Sequence, residues 1–228
     1  MMLIQDQIDE ADEFVNGMLD LLQRSVASPL GMPAYGLRAA IGYLRTNVEK
    51  SIRQRTIGTD IGACFNAATK AGAIPERLDG VRRYIVDRTF TDYQGIITHF
   101  IGGYSLFMCL SVMCQQGLTV VYKSQDEVAI IIARTQVIFQ QAKDLAADQT
   151  PVEVYNALNK LASTVTRYLA KTKLQLPRVV IYQTATTLPS LALSNLIFRV
   201  GDRADEIVDE NDIIHPAFCL RELRVLSK

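Results

Sequence analysis

Over roughly the first 175 residues, apolar side chains return every three or four positions, a spacing that lines one face of an α-helix and cannot line one face of a strand. Ile4, Ile8, Ala11, Val15, Met18 and Leu22 trace one such face, which the segment from Ser28 through Pro29 and Gly31 to Pro33 brings to an end. Leu37, Ile41, Leu44, Val48 and Ile52 mark a second helix. Ile61, Cys64, Phe65 and Ala68 mark a third, which stops near Gly72. Pro75 suits the first turn of a fourth, where its missing N–H is not needed, and Leu78, Val81 and Ile85 then point inward. The pattern predicts a bundle of amphipathic helices.

The stretch from Ile96 to Tyr122, following Thr91 and Asp92, is apolar on nearly every side. Its longest uninterrupted apolar run, roughly Ile101 to Cys114, is shorter than the ~20 residues that span a bilayer, and His99, Gln115 and Gln116 interrupt the rest. It reads as a helix at the centre of a bundle or in a subunit contact, with no membrane span. Gly102-Gly103 marks either a close helix approach or a kink.

Two later helix starts carry capping boxes, whose side chains satisfy otherwise unpaired N–H groups. Ser124 with Glu127 opens the first, which presents Val128, Ile131, Ile132, Thr135 and Phe139 before the polar stretch around Asp148. Thr150, Pro151 and Glu153 open the second, which presents Val154, Leu158, Leu161, Val165 and Leu169. The pattern changes after Pro177. Arg178-Val179-Val180-Ile181-Tyr182 is short and β-branched, which predicts a strand. Thr187-Leu188-Pro189 reads as an N-cap and first helical turn, Leu191, Leu193, Leu196 and Ile197 continue that helix, and a further short helix runs from Arg203 to about Asn211. Leu223-Arg224-Val225-Leu226 closes the chain as a second strand, expected antiparallel to the first. The fold class is therefore mainly α: a helical bundle over residues 1–176, then a small β-α-α-β module over residues 177–228 with no low-complexity linker between them.

Charge bounds the partners. With 24 basic and 24 acidic residues the chain supplies no long-range field for a polyanion, so nucleic acid is an unlikely partner. The basic groups Arg82-Arg83-Arg88 and Lys171-Lys173-Arg178 read as solvated helix faces. Four dispersed cysteines, Cys64, Cys109, Cys114 and Cys219, have no metal-like spacing and read as reduced, buried thiols. The opening residues carry acids where a secretory signal carries bases, which predicts synthesis and assembly in a cytoplasm.

No catalytic constellation stands out: no nucleophile elbow, zinc-binding helix motif, phosphate-binding loop or dinucleotide fingerprint is present. The acids Asp205, Glu206, Asp209 and Glu210 read as a solvated or ion-pairing face, and not as a pair for glycoside hydrolysis. His99 reads as a hydrogen-bonded core or interface histidine. His215, beside Asn211, Asp212 and Cys219, reads as a residue that positions backbone or packs against a neighbour. No catalytic, cofactor or metal site is expected.

The landmarks Leu176-Pro177, Thr187-Leu188-Pro189, Gly201-Asp202, Ala204-Asp205-Glu206-Ile207-Val208, Asn211, Ile214-His215-Pro216 and Leu223-Arg224-Val225-Leu226 stand in an order that resembles the closing segment of the Mu-like phage DNA circularisation proteins. Residues 29–45 and 120–136 look like weaker matches to the helical part of that family, while the N-terminal domain of its longer members has no counterpart here. The closing segment is also similar to a LysM fold. The resemblance implies a non-enzymatic structural protein of a contractile phage tail, a baseplate or hub-tube adaptor in the virion. Its partners would be tail tube, baseplate hub and baseplate wedge, in a symmetric ring for which six copies is the first expectation and three the second. The residues implied as module core or interface are Leu188, Leu191, Ile207, Asn211, Ile214, His215, Pro216, Leu223 and Val225, with Leu191 and Ile207 both pointing inward. Two alternatives stay open: a LysM-like peptidoglycan binder, contacting glycan through loops 184–187 and 211–215, and a DNA-end-handling protein.

Overall fold

The structure is a computed structural model that describes residues 4–91, 95–149 and 152–227. Nine α-helices and one two-stranded antiparallel sheet are present among the described residues. The chain divides into two compact units, one holding residues up to 120 together with 136–165, the other holding 121–135 together with 166 onward.

In the first unit, helices α1 (Ile4–Arg24), α2 (Tyr35–Arg53), α3 (Ile57–Lys70), α4 (Pro75–Val86) and α5 (Ile96–Gly117) follow the predicted order. Their predicted faces are the buried ones: Ala11, Val15, Met18 and Leu22 on α1, Leu37, Ile41, Leu44 and Val48 on α2, Ile61, Cys64, Phe65 and Ala68 on α3. Pro75 occupies the first turn of α4, and Leu78, Val81 and Ile85 are fully buried. Burying side chains of this size stabilises by about 1.5–3 kcal/mol each before conformational entropy is charged against it.

Helix α5 packs against α1, α3 and α4 at once. By length and composition it is apolar enough to cross a membrane, yet half of its most apolar window is buried inside the protein. Ile101, Leu106, Cys109, Leu110 and Val112 face the core. Gly102 settles as a close-approach glycine: a Cβ there would overlap the Thr89 side chain in the π-helical turn Asp87–Thr91, and the helix runs on through it. Phe139 and Ala142 from α6 (Gln125–Gln149), with Leu158 and Ala162 from α7 (Val152–Gln175), complete this core.

Asp79 is a buried charge in this unit, with Arg82 Nε and Arg83 Nη2 both 2.8 Å from its carboxylate. Burial pushes the Asp79 pKa up, but the hydrogen bonds and charges of Arg82 and then Arg83 outweigh burial and hold it below the usual carboxylate value. Arg88 pairs with Glu13 at 3.5 Å. Each arginine of the basic run at 82–88 is therefore paired with one of this chain's own acids, Arg82 and Arg83 sharing Asp79.

The second unit contains the start of α6, the end of α7, and the sequence β1 (Val179–Gln183), α8 (Ser190–Phe198), α9 (Ala204–Glu210), β2 (Glu222–Leu226). The strands pair antiparallel, Val179 opposite Leu226 through Gln183 opposite Glu222. The capping box at Ser124 forms with one displacement: the Glu127 N–H donates to Ser124 Oγ at 3.2 Å, while the Glu127 carboxylate accepts from the N–H of Lys123, one residue before the cap. Of the second predicted box, Thr150 and Pro151 lie outside the described residues, as does Asp92 before α5.

Helix α8 starts later than predicted. Pro189 is extended (φ −63°, ψ 147°) and serves as the N-cap, so the helix opens at Ser190. Tertiary pairing explains the delay: the Ser190 N–H donates to the Pro216 carbonyl at 2.7 Å and the Cys219 N–H to the Leu188 carbonyl at 3.1 Å. These bonds hold residues 188–190 straight.

Candidate interaction surface of the terminal module

The module closes around six buried residues, Leu193, Phe198, Ile207, Cys219, Leu223 and Val225, with Tyr182, Leu188, Ile197 and Ile213 packed on them. So small an apolar centre needs pinning. Arg203 does much of it: its guanidinium lies 3.8 Å over the Phe198 ring, pairs with Glu206 through two nitrogens, and donates to the Leu226 carbonyl at 3.2 Å. One side chain thereby ties α8, α9 and β2 together.

Asn211 pins the other side. Its Nδ2 donates to the Arg224 carbonyl at 2.8 Å and to the Ile207 carbonyl at 2.8 Å, and its Oδ1 accepts the Arg224 N–H at 2.7 Å. A residue in an antiparallel strand points its N–H and C=O the same way, so these bonds place the Arg224 peptide groups on the side of β2 away from β1. The amide of Asn211 thus stands where a third strand would pair.

The predicted module residues divide sharply. Ile207, Leu223 and Val225 are core, Leu188 packs against it, and Asn211 is the strand pin just described. Leu191 is 58% exposed, which corrects its inward assignment. The reason is geometric: Ser190, Leu193, Ser194 and Ile197, spaced i, i+3, i+4 and i+7, form the inner face of α8, and Leu191 and Leu196 fall to either side of it. Ile214 is wholly exposed. His215 is exposed too; its Nδ1 accepts the Ala217 N–H at 3.3 Å and its ring meets Phe218 at a 5.5 Å centroid distance. Pro216 is exposed and contributes its carbonyl to the Ser190 bond. Among the acids of α9, Glu206 pairs with Arg203, and Glu210 pairs with Arg224 at 3.2 Å.

The start of α6 is the part the sequence patterns missed. Gln125 donates from its N–H to the Pro177 carbonyl at 2.9 Å and from Nε2 to the Leu176 carbonyl at 2.7 Å, and it accepts from Arg178 Nε at 3.2 Å. Asp126 accepts the Val179 N–H at 3.0 Å. A groove of about 550 Å³ lies among Gln125, Gln175, Leu176, Pro177, Arg178, Arg203 and Ser227. The only sequence signal for this arrangement was the polar run after Ser124, which capping alone already accounted for.

Chemically the thiols are quiet. Burial pushes Cys64, Cys109 and Cys114 up to about 12, reinforced at Cys64 by the charge of Asp60, and burial raises Cys219 as well. All four are free cysteines. Among the described residues, no three His, Cys, Asp or Glu side chains are grouped to hold a metal ion. His99 is half-buried on the first turn of α5 and His215 sits in the last loop, so the two histidines belong to different units. Alongside exposed charged residues the module turns large apolar side chains outward: Ile181, Leu191, Leu196, Ile214, Phe218 and Leu220 are all more than half exposed.

No family model matches the chain, and a comparison with curated proteins finds no match.

Proposed function

We propose that this chain is a structural, non-enzymatic subunit of a contractile phage tail, an adaptor between baseplate hub and tube, working in several copies within the virion. The observation that carries the reading is the order of landmarks from Leu176-Pro177 to Leu223-Arg224-Val225-Leu226, which resembles the closing segment of the Mu-like DNA circularisation proteins. Supporting it, the outward surface of the terminal module is rich in large apolar side chains, the kind of surface that stable subunit contacts consume. A six-copy ring touching tube, hub and wedge is the arrangement the reading favours.

Removing the gene from its phage or prophage tests this directly. Tail assembly should arrest, and the polypeptide should be stoichiometric in purified wild-type particles. A complete, contractile tail that lacks the polypeptide rejects the proposal.

A peptidoglycan-binding role is the second reading, and the exposed Phe218 ring against His215 is its specific support, since aromatic faces suit sugar rings. Co-sedimentation of the full chain with insoluble peptidoglycan, lost on Phe218→Ala, would favour it. DNA-end handling finds support only in the family's name, against a balanced charge and a basic run already paired with Asp79 and Glu13.

A further inference from the structure

The two edges of the module's sheet are treated differently. The outer edge of β2 is occupied at Arg224 by the Asn211 amide. The outer edge of β1 is open. The Thr184 N–H donates to the Arg221 carbonyl and the Ser227 N–H to the Arg178 carbonyl, both at 2.8 Å, so residues 178, 180, 182 and 184 turn their peptide groups toward β2. Residues 179, 181 and 183 therefore turn theirs outward. The Val179 N–H is taken by Asp126, whereas the peptide groups of Ile181 and Gln183 have no partner among the described residues. Ile181 is 60% exposed, and from Val179 to Thr187 the chain carries neither charge nor proline. Natural edge strands are normally protected by such residues.

The same chain holds a segment fit to fill that edge. Residues 120–124 belong to no helix or strand. Thr119-Val120-Val121 is β-branched and uncharged, Val121 is 88% exposed, and neither its N–H nor its C=O has a partner among the described residues. With Val121 set antiparallel and opposite Ile181, the two residues exchange both hydrogen bonds, and the Gln183 N–H reaches the Thr119 carbonyl. Lys123 then falls opposite Val179. Both of those N–H groups are already spent, on Glu127 and Asp126. The ladder thus ends where both segments run out of donors.

From this match we infer that residues 119–122 of one copy add as a strand to the β1 edge of a second copy. Donor and acceptor are different surfaces, so the contact runs head to tail and builds a ring or a linear array, not a two-fold pair. The inference stands on the edge geometry and does not depend on the tail reading.

The test uses the full chain in sedimentation and light scattering over a concentration series. Wild type should associate with rising concentration beyond a dimer. Ile181→Pro removes the acceptor's outward N–H without touching the β1–β2 ladder, and Val121→Pro removes the donor's. Each variant alone should be monomeric, and an equal mixture should form a heterodimer and stop there. Ile181→Lys and Val121→Lys repeat the comparison if either proline variant loses its circular dichroism spectrum. The inference is overturned if wild type stays monomeric at its solubility limit or if the mixture of variants stays monomeric. It fails equally if only the residue-181 variants dissociate, which would mean β1 pairs with β1, or if neither pair of variants does.

Discussion

The helical unit and the terminal module reach stability by different means. The first buries a continuous apolar core contributed by α1 to α5 with parts of α6 and α7, so each side chain is one among many. The module's core cluster holds six buried apolar residues among those described, and its shape is held by directed bonds: Asn211 to the Arg224 peptide groups, Arg203 to Phe198, Glu206 and Leu226, and Ser190 to Pro216. A large core averages over its members, whereas a small one depends on which atom meets which.

The sharpest way to break this comparison is to place a charge at one of the six. Ile207→Asp leaves an unpaired carboxylate in the module core and should cost about 4 kcal/mol or more. Methyl NMR should show module signals collapsing while those of α1 to α5 persist. Leu191→Asp, on the outer face of the neighbouring helix, should shift the melting temperature little. Loss of the module in both variants would refute the corrected placement of Leu191.

Within the helical unit, Asp79→Ala removes the shared partner of Arg82 and Arg83. Arg82 is mostly buried and Arg83 mostly exposed, so the first bond carries most of the cost, roughly 3 kcal/mol by thermal or urea unfolding. The pH dependence has a definite sign. The carboxyl's folded value is depressed, so its contribution is fully present above the ordinary carboxylate pKa of about 3.9 and disappears as pH falls through the lowered value. The variant should lack that part of the acid sensitivity, seen as a smaller stability difference from wild type at the acid end.

Asn211→Ala tests the claim about directed bonds. It should cost the module about 2 kcal/mol, because the Arg224 peptide groups lose their partner, and hydrogen exchange at the Arg224 amide should accelerate. An unchanged exchange rate would mean the strand needs no such pin. The smallest effect is a gain: Arg199 closes α8 in the left-handed region at φ 63°, where glycine is at ease, so Arg199→Gly should stabilise the module by about 0.5–1 kcal/mol.

How much of this was legible in the sequence follows the same division. On α1, α2 and α3 the buried faces are the ones the periodicity picks out, because amphipathic helices separate apolar from polar sides strongly enough to orient themselves. Pro75 and the Ser124–Glu127 box mark helix starts through local chemistry alone. Helix α8 defeats the same reasoning: Leu191, Leu193, Leu196 and Ile197 surround the axis, so composition does not choose a face, and only contact with β2 and the last loop does. Asn211 read as the end of a short helix and a core or interface residue, without its bond to β2, because its partner, Arg224, lies on another element. Gln125 and Asp126 were invisible for the same reason. Long-range polar bonds leave no periodic trace.

Gly17 and Tyr84 extend that lesson to inheritance. The Tyr84 ring stacks on Phe14, and its hydroxyl donates to the Phe14 carbonyl at 3.3 Å, filling the space where a Cβ on Gly17 would stand. Neither position can drift alone toward a bulkier pair. Alanine at 17 requires the Tyr84 ring to move off Phe14 or residue 84 to shrink first, so the easier historical order at the two sites is small before large.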